Sequence, residues 1–145
     1  MRVLVQRVAR SEVRVRGEVV ASGGAGFLVL VGVGLGDGPD QARKLAAKLY
    51  HLRVFEDQGG KMNLALPDVG GEVVVVPQFT LYGDTSAGRR PSWVKAAPPD
   101  RAEEMVEAFA SALEALGAVV HRSAFREHME VQLVNDGPVT LLLEA

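Results

Sequence analysis

The chain has no cysteine in its 145 residues, which excludes disulfides, thiolate metal sites and a thiol nucleophile. No apolar run approaches the ~20 residues of a membrane span. The first residues carry Arg2, Arg7 and Arg10 but no long apolar segment and no small-residue cleavage pattern. A secretory leader is therefore not expected, and the cytoplasm is the expected location. Three histidines, His51, His121 and His128, stand without the H-x-x-x-H or H-E-x-x-H spacing of a metal site. No G-x-S-x-G elbow is present. No metal and no cofactor are expected. The net charge of −2 does not mark a binder that works through bulk positive charge.

What the chain does have is apolar material, 48% of residues, enough for one real core. A single α/β domain over residues 1–145 is expected, with a mixed β-sheet system, partly barrel-like, and two main helices packed on it. Charge is unevenly spread. Residues 1–16 hold five arginines against Glu12, whereas residues 100–114 hold Asp100 and four glutamates against Arg101. Such polarity suits a polyanion on one face, or two ordinary solvated faces.

Residues 1–33 read as strands in an antiparallel meander. Val3 and Val5 alternate, as do Val13 and Val15, and Gly17 gives a turn. Ser22 to Gly26 reads as a second turn, and Phe27 to Val31 as a strand buried on both faces. Gly32 to Gly38 lacks G-x-G-x-x-G spacing and is expected to lead into a helix, without binding a dinucleotide. Pro39 to Tyr50 is that helix, with Ala42, Leu45, Ala46 and Leu49 on its buried face. Val54-Phe55 suggests a short strand, and Glu72 to Val76 a central one. Residues 83–99 form a long loop, a length that often signals function. The next helix is expected to open on Asp100 as N-cap with Glu103 in a capping box. Ala102, Met105, Val106, Phe109, Leu113 and Leu116 form its stripe, and Gly117 its stop. Strands follow at 119–121, 130–134 and 139–143, the last two joined by a hairpin turn at Asn135-Asp136-Gly137-Pro138.

Two interrupted segments stand out, Pro77-Gln78-Phe79-Thr80-Leu81 and Asn135-Asp136-Gly137-Pro138-Val139-Thr140. Gly and Pro beside buried strands cost stability, so their presence suggests backbone held in a particular shape. Gln78-Phe79-Thr80-Leu81 matches the Ser-Gln-Phe-Thr-Leu motif of the D-aminoacyl-tRNA deacylases, and residues 135–140 match their Asn-x-Gly-Pro-Val-Thr motif. The opening Arg2-Val3-Leu4-Val5-Gln6-Arg7-Val8, Gly60-Lys61-Met62-Asn63-Leu64, Arg90-Pro91-Ser92 and Pro99-Asp100-Arg101-Ala102 resemble the same family. One departure is Pro77 in place of the usual serine, which removes a hydroxyl and an N–H.

The resemblance implies a homodimeric hydrolase that cleaves the ester of D-aminoacyl-tRNA, and of glycyl-tRNA mischarged on tRNA(Ala), without touching DNA or membrane. It implies that Gly137 and Pro138, joined by a cis bond, reach into the partner's site and reject L-amino acids by collision. It also implies that the N–H groups of Phe79 and Thr80 stabilise the oxyanion, that Gln78 holds their loop, and that the tRNA 2′-OH assists water. Phe125 and Ala102 would line the site of the 3′-terminal adenosine, and Arg7 would brace the Gly-Pro carbonyls. Two alternatives stay open: Thr80 as a nucleophile, and a tRNA-binding module without catalysis that uses the arginine-rich first strands with Arg89 and Arg90, the latter pair docking the acceptor stem.

Overall fold

A computed structural model describes residues 1–145. Its backbone is one six-stranded mixed sheet organised around a long first strand, β1 (Arg2–Val15). Along one edge β1 pairs antiparallel with β8 (Glu130–Glu144) from Arg2 to Arg14. Along the other it pairs with β3 (Gly26–Gly32) over its first half and β2 (Glu18–Gly23) over its second. β2 and β3 run in the same direction, both antiparallel to β1. The glycine-rich stretch at residues 22–26 is therefore a bend in a continuing strand, and the expected turn there is absent. One long hairpin replaces the expected meander. It closes at Arg16-Gly17, both with positive φ (50° and 80°), the backbone sign a two-residue type I′ turn requires.

From β3 the chain crosses through α1 (Pro39–Tyr50) to β6 (Glu72–Pro77), and from β6 through α3 (Pro99–Ala115) to β7 (Val119–Arg122). Both new strands are parallel to their predecessors. The two crossover helices pack on each other and on one face of the sheet. Phe27, Val29 and Val31 of β3 meet Leu45, Leu49, Phe109 and Leu113 in the main core. Each such buried side chain contributes about 1.5–3 kcal/mol. The alternate residues Leu28, Val74 and Val76 face the other way. There they form a second, smaller core with Val8, Val13 and Ala21. Burial on both faces explains the unbroken apolar runs of β3 and β6. The second core exists because β2 curls back over β6 and β7, giving the sheet its partly barrel-like form. Glu72 fastens that closure: its carboxylate accepts from the Gly24 N–H at 3.2 Å and from His121 Nε2 at 2.8 Å.

Three smaller elements were less legible. β4 (Phe55–Glu56) pairs with β5 (Met62–Leu64), and α2 (Leu66–Val69) is a single turn opening on Leu66-Pro67. α3 begins two residues earlier than its charge pattern suggests. Pro98 holds the N-cap position and Pro99 the first turn, so Asp100 lies inside the helix and forms no capping box. Leu116, expected in the stripe, falls at the helix's C-cap and is 38% exposed.

The largest difference concerns residues 130–144. They form one bulged strand and not a hairpin, because β1 is long enough to pair with both halves. Between the Gln6–Thr140 and Val8–Asn135 pairs, β8 carries three more residues than β1. Gly137 absorbs the excursion with a φ of +100°, open to glycine at little cost. The Gly137–Pro138 bond is trans, as no peptide bond in the chain is cis. This corrects the cis bond that the resemblance implies. Trans is the lower-energy isomer for most X-Pro bonds, and here the bulge redirects the chain.

Candidate active site

Parallel strands end together, and the crevice beyond their carboxyl ends is the usual place for a ligand. Here β3 and β6 end side by side, and a cleft of about 530 Å³ opens past Val33 and Gln78. That volume suits a small ligand or one nucleoside. Its floor is apolar, with Val31, Val76 and Val106 among the lining residues. The first turns of α3 supply Pro99 and Ala102, the segment after β7 supplies Phe125 to Met129, and the long loop supplies Trp93, Ala96 and Ala97.

At the mouth of β6 the chain turns into a 3₁₀ helix, Phe79–Tyr82. The Gln78 N–H is used, donating to the Val31 carbonyl at 2.8 Å, and the Leu81 N–H returns to the Gln78 carbonyl at 3.3 Å. The N–H groups of Phe79 and Thr80 donate to no protein acceptor, as expected for the first residues of a helical turn. Two adjacent donors are thus left free at the cleft edge. The turn is clamped from beneath. Arg2 Nη1 donates to the Leu81 carbonyl at 2.8 Å, and its guanidinium lies 4.7 Å from the centre of the Tyr82 ring. Gly34 makes the seat possible, since a Cβ there would lie 2.9 Å from the Tyr82 ring. Burial, then the neighbouring Asp37 carboxylate, pushes the Tyr82 hydroxyl up to about 12. The glycine-rich segment at 32–38 therefore serves packing and the start of α1, as its spacing suggested.

Gln78, Phe79, Ala102 and Phe125 all border the cleft. Thr80 does not; its side chain is exposed, and its Oγ1 accepts from Gln78 Nε2. No histidine or carboxylate hydrogen-bonds to that hydroxyl. Gly137 and Pro138 also lie off the cleft of their own chain. They are exposed on the β8 bulge. Beneath them Arg7, which continues the inward series Val3–Val5 and is 3% exposed, fills the bulge. Its guanidinium donates to the Asp136 carbonyl at 3.0 Å and to the Val54 carbonyl at 2.5 Å, and Asn135 Nδ2 donates to the Arg7 and Val139 carbonyls. Arg7 thus braces the residue before Gly137, and its hydrogen bonds go to the Asp136 and Val54 carbonyls rather than to those of Gly137 and Pro138 as expected.

The sequence reading passed over Trp93 and Arg126 and weighed His128 only as a metal ligand, yet all three line the cleft. Trp93 meets Phe79 edge-to-face at 5.2 Å. The one tryptophan, placed in an unusually long loop, was the available signal. That loop is tied at its base by paired Asp84–Ser92 backbone bonds. Hydrogen bonds from Ser86, then Lys95, hold the Asp84 carboxyl at about 2. Arg89 and Arg90 at its tip are exposed and form no ion pair. The basic N-terminal stretch, in contrast, is dispersed by strand alternation: Arg2 pairs with Glu144, Arg14 with Glu12 and Arg16 with Glu127, and Arg7 is buried.

Residues 4–144 match the family model described as D-Tyr-tRNA(Tyr) deacylase. The chain is 55% identical to the D-aminoacyl-tRNA deacylase of Heliobacterium modesticaldum over 144 residues, covering 99% of this chain and 96% of that protein. It is 54% identical to that of Thermomicrobium roseum over 145 residues, covering 100% and 94%. Among solved structures, the c-Myc DNA unwinding element binding protein superposes with a TM-score of 0.94 at 35% identity, covering 100% of this chain and 99% of that one. A probable eukaryotic D-amino acid tRNA deacylase superposes with a TM-score of 0.84 at 16% identity, covering 99% and 98%, a likeness of fold alone. Together, a single α/β sheet system with free backbone donors beside an apolar cleft and relatives of this kind define an ester hydrolase. The chain belongs to the D-Tyr-tRNA(Tyr) deacylase family, and its activity is that of a D-aminoacyl-tRNA deacylase.

Proposed function

We propose that the cleft receives the 3′-terminal adenosine of an aminoacyl-tRNA and that the ester carbonyl rests against the free N–H groups of Phe79 and Thr80. These two unpartnered donors carry the reading. Water adds to the ester carbonyl, the developing oxyanion is held by the N–H pair, and the bond to the ribose oxygen breaks. The products are a free D-amino acid and tRNA with its hydroxyl restored. Fixed donors of this kind are worth about 3–4 kcal/mol each in the transition state. The tRNA 2′-OH assists the water, which fits a site whose only nearby hydroxyl is held by an amide. An amide takes no proton at neutral pH, so Thr80 has no base to activate it. Phe125 and Ala102 contact the adenosine.

Chirality is read by a second copy of the chain. In a homodimer the bulge at Gly137 and Pro138 reaches the partner's cleft. The bulge is held on either side, at the Asp136 carbonyl by Arg7 and at the Val139 carbonyl by Asn135, and the carbonyls of Gly137 and Pro138 meet an L side chain and leave room for a D one. Glycine has no side chain to reject and is cleaved as well. Arg89 and Arg90 dock the acceptor stem. The reaction takes place in the cytoplasm.

Hydrolysis of matched D-tyrosyl-, L-tyrosyl- and glycyl-tRNA, measured with wild type and Thr80→Ala, tests the reading. The D and glycyl esters are expected to be lost and the L ester spared, with Thr80→Ala within a few-fold of wild type. A collapse of several orders in folded Thr80→Ala makes the hydroxyl the nucleophile. Tight tRNA binding with no hydrolysis favours a second reading, nucleic-acid binding alone, which the name of the 35%-identical structural neighbour supports.

A further inference from the structure

The cleft lining is apolar at the floor and charged only at one rim, formed by Arg126, Glu127 and His128 in the segment after β7. Arg126 is the one permanently cationic side chain that borders the cleft. Its backbone has a φ of +58°, a conformation that disfavours any residue with a Cβ and that glycine accepts freely. A strained non-glycine residue beside a site is a reason to look for a role. Its neighbours on that rim do not compete for it: Glu127 is engaged by Arg16 at 3.1 Å. Arg126 itself is paired only with Asp100, whose side chain is 95% exposed. An ion pair this wet is worth little, so the guanidinium exchanges that carboxylate for a better anion at small cost.

We infer that Arg126 forms a phosphate subsite: it binds the phosphate on the 5′ side of the nucleoside seated in the cleft. This rests on the reading of the cleft as a nucleoside site and adds to it the chemistry of the next group along the chain. A nucleoside seated with its 5′ side toward this rim places its phosphate beside Arg126, where a forked, fully ionised donor matches a phosphate bidentately.

Calorimetric titration with adenosine and adenosine 5′-monophosphate tests the subsite without requiring hydrolysis. The variant is Arg126→Gly, which suits the positive φ and so leaves the fold intact. Wild type is expected to bind the monophosphate at least about tenfold more tightly than adenosine, the scale of one charge-assisted hydrogen bond. Arg126→Gly is expected to lose that preference while binding adenosine as wild type does. With whole D-tyrosyl-tRNA, the variant should raise KM, leave kcat unchanged and lower the salt slope by about one. Equal binding of the two ligands by wild type, a preference that survives in Arg126→Gly, or no binding of either ligand overturns the inference. A wild type that prefers the monophosphate but cleaves no ester leaves the subsite standing and removes the deacylase mechanism instead.

Discussion

At Gly137 two constraints act together. The φ of +100° is strained for an L-residue, and a Cβ built there would lie 1.7 Å from Arg7 Nη2. Arg7 is buried and holds two carbonyls, so it has no free direction in which to retreat. Gly137→Ala is expected to cost at least about 3 kcal/mol, the sum of backbone strain and a displaced buried cation. Gly70→Ala is the control. It shares a positive φ of 61° but has nothing within 4 Å, so a loss of about 1 kcal/mol is expected from strain alone. Equilibrium denaturation of both proteins checks the difference, and equal losses would remove the contact with Arg7 from the account. The Gln78-Phe79-Thr80 motif was legible at this scale because it is local: a buried strand ends and a turn of defined chemistry follows. Arg126 and Trp93 were not, because they join the site from loops distant in the chain, and only the fold brings those loops to the end of β6.

Elements show where local reading fails. Asn-Asp-Gly-Pro has the chemistry of a reversal, and only a partner as long as β1 reveals that β8 continues through it. Likewise the glycine-rich link between β2 and β3 has turn composition, yet both strands pair with one straight neighbour. The helices were legible because their apolar spacing reports directly on one packed face, and Ala42, Leu45, Ala46 and Leu49 are all buried as expected. Closure of the sheet, by contrast, depends on Glu72, which joins β2, β6 and β7. Its hydrogen bond from His121, followed by that from the Gly24 N–H, holds its carboxyl below the usual value of 4.5. A carboxyl depressed in the folded state stabilises the fold fully above its unfolded value and loses that contribution as pH falls through the folded one. Glu72→Gln is therefore expected to lower Tm at pH 7 and to make little difference near pH 3. Thermal scans at the two pH values check it, and an equal drop at both would assign the effect to packing.

For the whole molecule, the outer edge of β8 pairs with no strand, although β8 is 15 residues long. Val134, Leu141 and Leu142 on it are exposed, Leu142 to 50%. A long, apolar, unpaired edge is a docking surface or a hazard. The proposed homodimer covers it and brings the Gly137-Pro138 bulge to a second cleft. Sedimentation velocity is expected to find a dimer for wild type and a monomer for Leu142→Asp. With each cleft and its N–H pair intact, the Leu142→Asp monomer should keep cleaving the D ester but lose its discrimination against the L ester. A wild-type monomer with full activity and chirality would end the two-chain account.

The pairing of β1 with β8 also has a consequence in time. Arg2 and Glu144, 142 residues apart, share a hydrogen bond. The hairpin of β1 with β2 and β3 forms from neighbours, but the other edge of β1 waits until residues 130–144 have been synthesised. Until then the growing protein carries an open strand edge, the kind that recruits other chains. Closing so long a loop slows folding, towards the millisecond-to-second range typical of non-local sheets. The most extensive pairing in the native sheet is thus the last of its pairings to become available, and the nascent chain is most vulnerable while it waits for β8.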